Sequence, residues 1–192
     1  YAHGRGVIHR DMKPSNVLVR AHDATATVMD FGIAKMTTST KLTATGQTMG
    51  TVRYMSPEQV RGQEVDLRTD IYSLGVILYQ LLSGHRPFES KESDLKEILK
   101  AVTDIDPPLP SSVAQTETGP RADGGWRSNE DRPTERQTGA ARGIVTSPRT
   151  VGIKPQYLRG DLDNIVLKAL KKEPERRYLS AESFAEDIRR HL

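Results

Sequence analysis

His9-Arg10-Asp11-Met12-Lys13-Pro14-Ser15-Asn16 brings a carboxylate, an ammonium and a carboxamide together within one short stretch. Asp30-Phe31-Gly32 adds a second carboxylate after two β-branched runs, and Ser56-Pro57-Glu58 a third. A carboxylate can take or orient the proton of a hydroxyl. Carboxylate and amide oxygens are the hard donors that magnesium prefers, and an ammonium near them can offset charge that builds up on a reacting group. Singly, each stretch also reads as a solvated turn, and Asp-Phe-Gly as a turn with a buried aromatic. Three of them in this order, around the threonine-rich stretch from Met36 to Met49, leave coincidence with very little weight.

The first stretch fits the pattern H-R-D-L-x-x-x-N with Met12 in place of Leu, the second is D-F-G, and the third stands where A-P-E is expected. The sequence thus resembles the Hanks-type (eukaryotic-like) protein kinases over nearly all of its length outside one insertion. The resemblance implies that Asp11 accepts or orients the proton of the acceptor hydroxyl, and that Asn16 and Asp30 hold magnesium against the phosphates of ATP. It places Lys13 beside the transferred phosphoryl group and Lys13, Ser15, Asn16, Leu18 and Asp30 around the nucleotide, with Leu18 touching the adenine from below. Lys13, together with Thr51 in Gly50-Thr51-Val52-Arg53-Tyr54, implies serine/threonine rather than tyrosine as acceptor.

Further roles follow from the same resemblance. Arg10 beside the catalytic aspartate implies control by loop phosphorylation, because a guanidinium can be paired and positioned by phosphate oxygens. Thr43 and Thr45 stand at the family's usual distance before Thr51, and Thr40 and Thr48 are less well placed. Glu58 is expected to pair with Arg177, which follows Glu173-Pro174 where the family has D-P-x-x-R. Asp70 resembles the aspartate that holds the catalytic-loop backbone, and His9, Phe31 and Leu18 are expected as internal packing residues. The wording of Met55 to Gln59 and of Leu158 to Ile165 resembles the bacterial members most. In those, a repeat or membrane-anchored sensor region often follows the kinase domain.

These residues need elements to hold them. Val7-Ile8, Val17 to Val19, Thr25 to Met29 and Ile33-Ala34 read as short strands joined by loops. Asp70 to Ser83 is apolar nearly all round, with Thr69 or Asp70 as N-cap and Gly84 just past its end, which predicts a buried core helix. Leu95, Ile98, Leu99 and Val102, and again Leu162, Ile165, Val166, Ala169 and Leu170, fall at helical spacing. Pro174 marks a break before a last helix capped by Ser180. Between Asp106 and Gln156, proline, glycine and polar filler around Trp126 show no periodicity, which predicts a disordered insertion. The expected organisation is catalytic and activation segments with core helices over 1–105, the insertion over 106–156, and closing helices over 157–192. The expected fold class is α+β: a kinase-like C-terminal lobe, mainly helical, with short strands around the catalytic loop.

Composition narrows the alternatives. The 192 residues contain no cysteine, which excludes disulfides, a thiolate nucleophile and cysteine-ligated metal, and the five histidines are scattered without ligand spacing. A net charge of +3 without a Lys/Arg run argues against nucleic acid. The longest apolar stretch, Ile71 to Leu82, is broken by Tyr, Ser, Gly and Gln and is too short to span a bilayer. A cytoplasmic location is therefore expected, with protein substrates as partners.

A glycine-rich loop G-x-G-x-x-G-x-V and the strand lysine of V-A-I-K do not occur in the sequence. Tyr1 to His9 resembles the end of the helix before the catalytic loop, so an N-terminal lobe is expected upstream and Tyr1 is not expected to be a natural start. Without that lobe the chain alone is expected to be inactive. The competing reading is a kinase-like docking module with no transfer of its own.

Overall fold

The computed structural model describes residues 1–31, 49–88, 95–114 and 155–192. Its centre is a helix, α3, over Leu67–Ser83. The Asp66 side chain caps it by accepting the Arg68 amide, and Gly84 ends it at φ 78°, a left-handed conformation natural to glycine. The helix therefore starts a turn earlier than the apolar run suggests. Thr69 and Asp70 are not its cap but lie in its first turn, where their side chains are free to bond elsewhere.

The uniform apolarity of α3 is explained by partners on several sides. Ile71, Tyr72, Val76 and Tyr79 are fully buried. A helix over Leu95–Asp104, α4, contributes Ile98 and Val102 to a cluster with Tyr72, Val76 and Tyr79. A helix over Asp161–Ala169, α7, adds Val166 to that cluster and Ile165 and Ala169 to a second one around Ile71, and a last helix over Ala181–His191, α8, adds Phe184. α8 is capped by a reciprocal Ser180–Ser183 pair. The Tyr178 and Phe184 rings lie 5.0 Å apart across its start.

β1 (Val17–Val19) and β2 (Ala26–Val28) form a two-stranded antiparallel ribbon, Val17 opposite Val28 and Val19 opposite Ala26. Val7 and Ile8 are irregular, after a single 3₁₀ turn at His3–Arg5; Ile33-Ala34 lie outside the described residues. The expectation that Leu18 and Phe31 pack internally is corrected: they are 52% and 38% exposed. For Leu18 the reason is that β2 is exposed throughout and the ribbon offers its side chains no second layer; Phe31 lies beyond the ribbon with its ring against that of His9 at 4.9 Å.

The expected insertion is corrected at both margins. Residues 106–114 belong to the fold: Pro110–Val113 form a helical turn, α5, and Ser111 donates from its amide and hydroxyl to the buried Asp163 carboxylate at 2.9 and 2.7 Å. A second turn, α6, over Pro155–Leu158 packs beside α5 and buries Leu158 completely. Proline-rich composition concealed both, because proline is well tolerated in a first helical turn and each segment is a single turn without periodicity. The rest of the insertion and the threonine-rich loop lie outside the described residues.

Candidate active site

Asp70, at the start of α3, is buried and collects the catalytic-loop backbone. Its Oδ2 accepts the His9 amide at 2.8 Å and its Oδ1 the Arg10 amide at 2.9 Å. His3 Nε2 lies 2.9 Å from the same Oδ2. The two amide bonds explain why a non-glycine residue can sit at φ 64° in Arg10. Such a conformation costs about 1–3 kcal/mol and persists only where the surroundings enforce it.

His9 is 3% exposed and ties two segments together. Its Nδ1 accepts the Asp11 amide at 3.2 Å while Nε2 lies 2.9 Å from the Met29 carbonyl, so the proton is on Nε2. Its ring meets the Phe31 ring at 4.9 Å. Asp30, held between these two anchored neighbours, adopts φ 55° and presents an exposed carboxylate. Met29 also donates its amide to the Asn16 carbonyl at 2.8 Å, which joins the approach to Asp30 to the end of the catalytic loop.

The reactive side chains converge after that. Lys13 Nζ lies 3.1 Å from Asp11 Oδ2 and 3.4 Å from Thr51 Oγ1, so one ammonium bridges two segments separated by the threonine-rich loop. Asn16 is buried and donates Nδ2 to the Asp11 carbonyl at 2.8 Å. The Ser15 hydroxyl lies a marginal 3.5 Å from its Oδ1. The Asp30 carboxylate and Asn16 Oδ1 are oxygen donors of the hard type that magnesium takes, and among the described residues no group of three or more carboxylates and histidines forms a metal cluster.

Away from these groups, Glu58 and Arg177 close a fully buried pair. Arg177 Nη1 and Nη2 each reach a Glu58 oxygen at 2.8 Å, and the remaining guanidinium hydrogens go to the carbonyls of Arg68, Lys171 and Lys172. All five donors are thereby used. Burial pushes the Glu58 carboxyl up, but the Arg177 bonds and charge, with the Thr69 hydroxyl at 2.7 Å, hold it below its ordinary range.

The structure brings together Asp11, Lys13, Asn16 and Thr51 and anchors the loop through His9 and Asp70; Asp30 is tied to it through its neighbours Met29 and Phe31. Leu18 lies on the open ribbon and Ser15 is exposed. Thr43 and Thr45 lie outside the described residues. His3, which bonds the Asp70 carboxylate, and Gln59, which bonds the Arg10 carbonyl, were not apparent from sequence because they stand outside the motif letters. A cavity of about 310 Å³ between α7 and α8, lined by Asp161, Lys168, Tyr178 and His191, includes none of these groups.

A catalytic loop pinned on a buried helical aspartate, with an aspartate–lysine pair facing a threonine, defines the protein-kinase class of fold and site. A family model for the protein kinase domain matches residues 1–188, and the chain belongs to that family, in its bacterial Hanks-type branch. It is 36% identical over 189 residues to the serine/threonine-protein kinase PknB of Mycobacterium leprae, covering 98% of this chain and 23% of that protein. It is 38% identical over 194 residues to the serine/threonine-protein kinase pkn3 of Myxococcus xanthus, covering 97% and 28%. The chain thus spans about a quarter of the length of these curated relatives. Among solved structures it resembles the kinase domain of Mycobacterium tuberculosis PknI, with a TM-score of 0.53 and 22% identity over 100% of this chain and 48% of that one.

Proposed function

We propose that this chain is the catalytic-lobe portion of a bacterial serine/threonine kinase, which moves the γ-phosphate of ATP to a serine or threonine hydroxyl of a protein and is inactive without an N-terminal lobe. The observation that carries the reading is the bridge from Asp11 through Lys13 to Thr51. Asp11 takes the acceptor hydroxyl proton as the new O–P bond forms and the bond to the ADP oxygen breaks. Lys13 supplies positive charge beside that carboxylate, where negative charge on the transferring group needs an opposing partner. Asn16 and Asp30 would hold magnesium, which offsets the charge of the phosphates.

Positioning explains the expected dependence on a second lobe. Phosphoryl transfer relies on alignment and electrostatics more than on covalent chemistry, and the ribbon side of the site is open. In this reading, protein substrates approach past Thr51, loop phosphorylation at Thr43 or Thr45 engages Arg10, and the reaction is cytoplasmic. The test is transfer of labelled γ-phosphate from magnesium–ATP by the full-length protein, followed by phosphoamino-acid analysis. Label on serine or threonine that disappears in Asp11→Asn supports the proposal; label retained in that variant overturns it.

A further inference from the structure

Gln59 sits at the third position of the short helix α2, Pro57–Val60, and its side chain faces two ways. Its Oε1 accepts the Ser56 amide at 3.0 Å, the return half of a capping box in which Ser56 Oγ accepts the Gln59 amide. Its Nε2 donates to the Arg10 carbonyl at 2.8 Å, 49 residues away in sequence. The orientation of the amide is fixed, because the Ser56 amide can only donate and the Arg10 carbonyl can only accept.

Arg10 is the left-handed residue of the catalytic loop, and Asp70 holds it only through its amide. The Arg10 carbonyl lies in the peptide plane that leads into Asp11, whose amide is held by a long 3.2 Å bond to His9 Nδ1, so without the shorter Gln59 bond that plane can rotate and carry the Asp11 backbone with it. With Gln59 in place the strained residue is gripped on both sides. We infer that Gln59 is a positioning residue for phosphoryl transfer, locking the Arg10–Asp11 peptide to the segment that carries Ser56 and Glu58. The inference rests on the catalytic role proposed for Asp11. It also links the segment that ends the activation region directly to the catalytic loop, with no ligand or phosphate between them.

The two roles of Gln59 can be separated by one atom. In Gln59→Glu the oxygen that accepts the Ser56 amide is kept, and glutamate is itself a favoured capping-box partner, but the donor to Arg10 is replaced by an oxygen that repels its carbonyl. Gln59→Leu removes both bonds. In the full-length protein we expect Gln59→Glu to keep its melting temperature near that of wild type. Its kcat should fall about 10- to 100-fold, as misplacement of a catalytic group does, with KM for ATP unchanged. The Arg10 and Asp11 amides should lose protection against hydrogen exchange, and lowering the pH toward 5 should restore part of it by protonating the introduced carboxyl. Wild-type kcat and exchange in Gln59→Glu, with only a loss of stability in Gln59→Leu, would make Gln59 a helix cap alone and overturn the inference. If the wild-type protein transfers no phosphate, the proposed function fails, while the exchange comparison still decides for or against the lock.

Discussion

Arg177 grips Glu58 with two parallel hydrogen bonds of 2.8 Å across 119 residues of chain, with both side chains almost fully withdrawn from solvent. The pair fastens the segment following Thr51 to the turn before α8. Removing one partner strands the other's charge in the interior, which costs about 3–5 kcal/mol. Arg177→Met should lower unfolding free energy by that amount in denaturant titration, and the double variant Glu58→Gln/Arg177→Met should lose less than the two single losses added. The folded pKa of Glu58 lies below its ordinary value of 4.5. Its contribution is therefore complete above that pH and is lost as pH falls through the folded value, so the acid limb of stability should be steeper in wild type than in Glu58→Gln.

At Gly75 the α3 backbone packs closely against the end of α7. A Cβ there would lie 2.9 Å from Ala169 Cβ and 3.2 Å from a Leu170 methyl. Alanine normally favours a helix interior by up to about 1 kcal/mol over glycine, but overpacking a tight core costs about 1–3 kcal/mol. Gly75→Ala should therefore destabilise rather than stabilise, as a lower midpoint in thermal unfolding.

Lys172 caps the end of α4, donating to the Ala101 and Val102 carbonyls at 3.1 and 2.7 Å with its ammonium 4.3 Å over the Phe88 ring. Burial pushes its pKa down from 10.5 to about 8. Between those values the unfolded chain holds a proton that the folded chain releases, so this group makes stability rise with pH across that window. Comparison of wild type with Lys172→Met by denaturant titration between pH 7.5 and 10 should show a relative gain for wild type of about 1–2 kcal/mol. Equal slopes for the two would contradict it.

The parts of the molecule that were legible in the sequence are those whose spacing reflects a constraint. Ile98 and Val102 recur at helical spacing because one face of α4 meets the core, whereas the pairing of Arg177 with Glu58 was implied by the resemblance of the stretch from Glu173 to Arg177 to the family's D-P-x-x-R. Less legible were features decided by a single contact. The start of α3 depends on the Asp66 side chain meeting one amide, and the order of 106–114 depends on Ser111 finding Asp163. Burial of Leu18 and Phe31 was expected from the resemblance and their apolar type alike, whereas exposure is set by what lies opposite them. His3 bonds the Asp70 carboxylate and Gln59 the Arg10 carbonyl, each from a position outside the H-R-D, D-F-G and A-P-E letters.

The most direct test of the account is a magnesium–ATP phosphorylation assay on these 192 residues and on the same sequence extended upstream through a glycine-rich loop and strand lysine, each beside its Asp11→Asn variant. The account predicts transfer to serine or threonine by the extended wild type alone, with Asp11→Asn lowering it by about 10²- to 10⁴-fold. Transfer by the short chain would contradict the need for a second lobe, and silence in the extended wild type would contradict the kinase reading itself.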